Sequence, residues 1–239
     1  FRKVQQWDWM RIRDGLTQML FGFFKKLVIA DRLSLYVDEV YANSSEYHGL
    51  PVWVATYFFA IQVYCDFSGY SDIAIGGARV MGFKLMTNFR RPYLADSFKS
   101  FWERWHISLT TWFRDYVYFP MGGSRKGALR TRLNMLLLFT LCGLWHGARW
   151  NCVLWGTVNG VFLVMGQLTG GIQDRIAHLT GLARFPRIRK VWNVFMTFTL
   201  FVLSLMIWRS TTLPDMVFNL QQAFTAGNDP WLLTKPMAA

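Results

Sequence analysis

Charge is what this sequence has least of. Only 17% of its 239 residues are Asp, Glu, Lys or Arg, while 53% are hydrophobic and 18% aromatic; an average soluble protein is roughly 25% charged. That balance excludes a surface wetted on all sides. The position of the gaps says more, because Tyr47 to Cys65, Leu133 to Ala148, Trp150 to Gln173 and Val191 to Trp208 contain none of the four charged residue types. A helix needs about 20 mostly apolar residues to cross the hydrocarbon core of a bilayer, so these four runs are expected spans. A fifth, Gly15 to Leu35, is apolar but interrupted by Lys25, Lys26, Asp31 and Arg32.

Other absences narrow the chain further. Cysteine is limited to Cys65, Cys142 and Cys152, all in or beside apolar runs, with no CxxC and no Cys/His ligand spacing. A disulfide framework or zinc site is thereby excluded, and packing as small buried thiols is expected. No internal repeat and no Pro- or Ser-rich linker divides the chain, so residues 1–239 read as a single membrane domain. Phe1 opens a charged amphipathic stretch with neither an initiator Met nor a signal-peptide pattern. The expectation is therefore a C-terminal portion of a longer chain. GxGxxG, P-loop, GxSxG and HExxH patterns are absent, as are the HxxxD and HxxxxD spacings of compact acyltransferase motifs.

The formal net charge of +12 invites a nucleic-acid reading, but its distribution argues against nucleic acid as a partner. Basic residues crowd into Phe1 to Arg13, Arg79 to Arg132 and Arg175 to Lys190, whereas Leu33 to Gly49 holds Asp38, Glu39 and Glu46 and no Lys or Arg. This is the alternation of the positive-inside rule. It places the N-terminus, the 79–132 loop and the 175–190 loop inside and the 33–49 loop outside. The fold class is accordingly all-α, a polytopic helical membrane protein with re-entrant or interfacial amphipathic helices.

The long inside segment is too polar to span and too aromatic for a solvated loop. From Asp96 to Tyr116, the residues Phe98, Phe101, Trp102, Trp105, Leu109, Trp112, Phe113 and Tyr116 recur at spacings of three and four. This predicts one amphipathic helix at the membrane interface or under the spans, capped by Asp96 or Ser97 and stopped by Pro120, Gly122 and Gly123. Upstream, Asp66 and Asp72 follow an apolar run beside Gly69, Gly76 and Gly77, a pattern that predicts a broken or re-entrant segment. Gly143 with Gly147, and Gly156 with Gly160, form small-xxx-small pairs that let helices pack closely.

Of the four histidines, His48 and His178 fall in polar loops and read as solvated. His146 ends an uncharged run, with Trp145 and Trp150 nearby. Its structural reading is an interfacial histidine in an aromatic belt. Ionisable groups inside a membrane are functional by default, however, and apolar surroundings keep an imidazole neutral and able to accept a proton. His106 follows Trp105, and Glu103 three residues earlier on a helix would lie beside its ring.

The strings YCDFSGYSDIAIGGARVMG, NFRRPYLADSFKSFWERWHISLTTWFRDYVYFPMGG and GLWHGARWNCVLWG, in that order, resemble the membrane-bound O-acyltransferase family. The likeness runs from about Asp14 to Gly166 and is to the branch of alginate O-acetyltransferases, bacterial polysaccharide acetylases and teichoic acid D-alanyl transferases. The resemblance implies a multi-pass protein of the bacterial inner membrane that passes an acetyl or other acyl group from a cytoplasmic donor, acetyl-CoA, towards hydroxyls of a secreted polysaccharide. Transfer is direct or through a periplasmic acetyltransferase partner, with no bound cofactor and no metal. It further implies that the histidine of the WHG block, His146, is catalytic and that of the FWxRWHxSL block, His106, is a second functional position.

Asp66, Asp72, Asp115 and Asn151 are supporting candidates, each carboxylate orienting a histidine or pairing with an arginine such as Arg114. Arg90, Arg91, Arg114, Arg125 and Lys126 are candidates for donor phosphates, although positive-inside topology accounts for most such cations. The competing readings are a transporter or channel with His146, Asp66 and Asp72 along a polar path, and a non-catalytic scaffold for a periplasmic acyltransferase. No second copy of the DFSGYSD or WHG pattern is present, which weighs against transport, since transporters commonly carry paired repeats. On the simplest topology His146 lies towards the far side of the membrane. A base there must meet a donor from the near side, so the site is expected at the bottom of a cavity.

Overall fold

Helix formation starts where Asp8 can cap it: the carboxylate accepts from the backbone N–H of Arg11 (3.0 Å) and opens α1, Trp9–Phe23. The computed structural model describes residues 6–226, and all regular structure among them is helical. Arg2 and Lys3 of the basic opening stretch lie outside the described residues. The chain forms two compact units, one of residues up to Asn88 together with those from Asn219 onward, the other of Phe89–Phe218.

In the first unit, α1 continues through a π-helical segment, Phe24–Ala30, into α2, Asp31–Ala42, and α3 runs Leu50–Val80. The charges that interrupt the first apolar run are matched by carboxylates on α3. Lys25 Nζ lies 2.6 Å from Asp72 and 2.9 Å from the Ser68 hydroxyl, and Lys26 Nζ lies 2.5 Å from Asp66. The expected break at Asp66–Gly82 does not occur, because α3 is continuous to Val80. Its glycines serve packing instead. A Cβ on Gly22 would sit 2.6 Å from the Gly69 carbonyl, and one on Gly15 would sit 2.7 Å from the Gly76 carbonyl, so α1 and α3 touch backbone to backbone. The tail of α9 (Leu213–Phe224) closes the N-terminus of α3, with the Gly49 N–H donating to the Gln222 carbonyl (2.8 Å). His48 is not solvated as expected: its ring N–H donates to the Gln222 side chain.

In the second unit the predicted aromatic helix is broken in two. Ser97, rather than Asp96, caps α4 (Phe98–Trp102), and α5 (Ile107–Phe113) starts afresh after His106, running into a π-helical turn, Arg114–Tyr118. The break comes from His106 itself, whose φ of 46° and ψ of 54° are left-handed, a conformation that ends a right-handed helix. It lets Phe98, Phe101, Trp102 and Trp105 turn into the protein, all under one-tenth exposed, while Trp112 and Tyr116 remain outside. Phe101 packs on Phe201 with ring centres 4.4 Å apart, and Trp102 meets Phe139 at 4.9 Å. The break also moves Glu103 out of helical register with His106 and leaves it exposed.

Helices α6 (Gly127–His146), α7 (Trp150–Leu179) and α8 (Pro186–Arg209) complete this unit. Across α6 and α7 a Cβ on Gly156 would lie 2.8 Å from the Gly143 Cα, the close packing that the small-residue pairs predict. Three helices, α3, α7 and α8, are long and apolar enough to cross a membrane. Helix α6 begins with Arg130 and Arg132 in its early turns, so its apolar part is shorter than a bilayer core requires.

Candidate active site

The site is built where α6 stops. His146 is its last residue, Gly147 to Arg149 form a tight connection, and α7 restarts at Trp150. Three indoles surround the His146 imidazole nearly at right angles to it: Trp145 at 4.7 Å, Trp208 at 4.9 Å and Trp155 at 5.5 Å between ring centres. Trp155 and Trp208 also meet each other at 4.6 Å. No Asp or Glu among the described residues forms an ion pair with His146. Its chemistry is therefore that of an imidazole among apolar aromatic rings, where the neutral form is favoured.

Asn151 holds this arrangement together. It is 1% exposed, and its amide donates to the backbone carbonyl of Ser210, just past the end of α8, tying that helix end and Trp208 to the start of α7. Asn134 does a comparable job for the turn after α5, donating to the Gly123 carbonyl (2.9 Å). Both asparagines satisfy backbone.

His106 is drawn to the same region. Burial first, and the nearby His146 second, hold its imidazole below the ordinary 6.5, at about 4. The two rings thus sense one another, and protonating one disfavours protonating the other. Left-handed backbone at a non-glycine residue is strained and recurs at functional sites.

The other expected residues go elsewhere. Asp66 and Asp72 are engaged within the first unit by Lys26 and Lys25, and Asp72 also accepts from Gln18 (3.0 Å). Asp115 forms an exposed pair with its neighbour Arg114 (2.8 Å). Arg90, Arg91, Arg125 and Lys126 are exposed. Trp150 is 75% exposed and takes no part in the enclosure of His146. Sequence reasoning missed Trp155 and Trp208. Trp155 was signalled weakly, nine residues along in the same block, but nothing local links Trp208 to His146. Among the described residues no group of three His, Cys, Asp or Glu side chains is placed to hold a metal ion.

A cavity of about 390 Å³ opens between α4, α5, α6 and α7. Its wall includes Cys142, one helical turn before His146, and of the five expected phosphate ligands it includes only Arg114.

A model of the membrane-bound O-acyltransferase family matches residues 3–208. The chain is 40% identical over 203 residues to a protein named "probable alginate O-acetylase AlgI" from Pseudomonas fluorescens, an alignment covering 85% of this chain and 39% of the relative. It is 37% identical to a peptidoglycan O-acetyltransferase of Helicobacter pylori over 66% of this chain and 30% of that protein. With a teichoic acid D-alanyltransferase of Bacillus subtilis it shares 29% identity over 68% of this chain and 45% of the relative. The chain thus spans less than half the length of each of these relatives.

Proposed function

Because the chain belongs to the membrane-bound O-acyltransferase family, we propose that it carries the acyl-transferring centre of a multi-pass enzyme of the bacterial inner membrane. In this reading an acetyl group moves from a cytoplasmic thioester, acetyl-CoA, to hydroxyls of an extracytoplasmic polysaccharide, directly or through a periplasmic partner. The observation that carries it is the enclosure of His146 by Trp145, Trp155 and Trp208 without a carboxylate partner. A neutral imidazole so placed accepts the proton of a hydroxyl as its oxygen attacks the thioester carbon. The C–S bond then breaks, and the departing thiolate takes the proton from His146, restoring the base.

His106 supplies the complementary function. A neutral imidazole keeps one N–H to donate, and held at about 4 it stays neutral at physiological pH. Its N–H is suited to the oxyanion that develops on the thioester carbonyl, the group that most needs stabilisation in acyl transfer. The polymers in the relatives' names, alginate, peptidoglycan and teichoic acid, support an envelope or secreted polymer as acceptor. The transporter reading loses two of its three residues, since Asp66 and Asp72 are held by lysines.

The test is transfer of labelled acetyl groups from acetyl-CoA by the full-length protein in membranes. His146→Ala is expected to lose label on the polymer or partner protein while accumulating normally, with His178→Ala, exposed and remote in the sequence, retaining it. Equal labelling by His146→Ala and the unsubstituted protein would remove the catalytic role.

A further inference from the structure

Asp174 is the only carboxylate side chain between Trp150 and Trp208, a stretch that also holds Arg175, Arg184, Arg187, Arg189 and Lys190. It pairs with Arg189, so the end of α7 and the start of α8 meet there. Arg175, Arg184, Arg187 and Lys190 are exposed and form no ion pair among the described residues. Four like charges gathered on two adjoining helix ends repel one another, and an anion among them relieves that repulsion.

Depth says which anion is at hand. With 30 residues at about 1.5 Å each, α7 is about 45 Å long, against a hydrocarbon core of about 30 Å. Its charge-free run ends at Gln173, and that of α8 begins at Val191. The Asp174–Arg189 pair sets both limits at one level, where the hydrocarbon stops. The four cations then lie in the headgroup layer, on the inside face by the charge alternation along the chain.

The positive-inside effect accounts for cations at that level, but not for the apolar side chains set among them. Leu179, Phe185 and Ile188 are 79%, 57% and 57% exposed, and all three lie beyond the charge-free runs. A soluble anion would leave them in water, which is unfavourable. A phospholipid offers a phosphate to the cations and its glycerol and upper acyl carbons to the apolar side chains. We propose that the α7–α8 turn is a binding surface for an anionic phospholipid, with Arg175, Arg184, Arg187 and Lys190 meeting its headgroup and Leu179, Phe185 and Ile188 its apolar part. The surface does not depend on acyl transfer. It joins the helices whose opposite ends carry Trp155 and Trp208, two of the three rings around His146.

The experiment titrates the full-length protein in detergent with dihexanoyl phosphatidylglycerol, dihexanoyl phosphatidylcholine and inorganic phosphate, following binding by calorimetry. Phosphatidylglycerol is expected to bind about tenfold more tightly than either of the others. Equal binding of the two lipids overturns the proposal. So does inorganic phosphate that binds as tightly as phosphatidylglycerol, which would make this a surface for soluble anions. Arg184→Gln combined with Arg187→Gln is expected to weaken phosphatidylglycerol binding about 30-fold, about fivefold for each cation lost near an anionic lipid. Arg175, Arg189 and Lys190 remain in that variant to keep the basic bias that orients the helices. Arg184→Lys combined with Arg187→Lys keeps the charge and is expected to stay within about twofold of the original. Unchanged binding by the Gln pair, or equal losses in the Gln and Lys pairs, overturns the assignment. Phe185→Ser is expected to weaken phosphatidylglycerol binding several-fold, and an unchanged affinity removes the case for a lipid. Should the Gln pair not accumulate, Phe185→Ser and the comparison of the two lipids decide.

Discussion

The two units bury ionisable groups in opposite ways. In the first, Lys25 is 9% exposed and is met by Asp72 at 2.6 Å, with Ser68 and Gln18 completing the hydrogen bonds. In the second, His146 is surrounded by indoles and has no carboxylate in ion-pair range among the described residues. A charge buried with its counterion is satisfied and inert, and tells of helix assembly. An imidazole enclosed by apolar rings favours its neutral form, and in the proposed transfer it is the group that takes the hydroxyl's proton. Both patterns place costly residues in apolar surroundings, and only the partners separate scaffold from chemistry.

The sharpest way to break this contrast is to delete one member of each set. His146→Ala is expected to reduce acetyl transfer by about 100- to 10,000-fold, the usual worth of a general base, with the thermal midpoint of the detergent-purified protein unmoved. Asp72→Asn is expected to do the reverse. It strands Lys25 and destabilises the first unit by about 3 kcal/mol, the lower end for a broken buried pair because Asp72 is not fully enclosed. Adding Lys25→Met should recover most of that loss in thermal unfolding, since no charge is left unpaired. An Asp72→Asn protein as stable as the original would erase the distinction between the units.

Smaller effects sharpen the second unit. Trp208→Leu removes one ring of the imidazole enclosure, and kcat is expected to fall about tenfold, roughly 1.4 kcal/mol of the barrier, with KM steady. For His106 the sign follows from its lowered value: the folded state prefers the neutral ring, so stability is complete above about 6.5 and is lost as pH falls towards about 4. Unfolding midpoints measured across that window should decline in the original protein and decline less in His106→Gln. Least of all, Asp115→Ala breaks an exposed pair with Arg114 and should change stability by under about 0.5 kcal/mol. A large loss in that variant would mean that Asp115 has a buried role after all.

How much of this was legible depends on the range of the interaction. The apolar runs predicted α3, α7 and α8 because spanning is a property of a contiguous segment. His146 stood out for the same reason, as an ionisable residue at the end of an uncharged run. Asp66 and Asp72 were read as site residues because Lys26 and Lys25, about forty residues earlier, share no local pattern with them. Spacing likewise favoured one helix over Asp96 to Tyr116, since every local preference agreed with it. The left-handed turn at His106 is maintained by long-range burial, with Phe101 and Trp105 packed on Phe201 of α8.

The sequence by itself determined the solvent for which this chain is built, its helical class, the family blocks and the position of a histidine at the end of an uncharged run. Each is written in neighbouring residues, because hydropathy and helix periodicity act within a segment. The tertiary structure alone decided which charges cancel and which rings enclose His146, and it alone made a cavity of the space behind Cys142. Those depend on side chains from separate helices meeting within a few ångströms, and the backbone approaches at Gly22 and Gly69, and at Gly143 and Gly156, are what let the helices come that close.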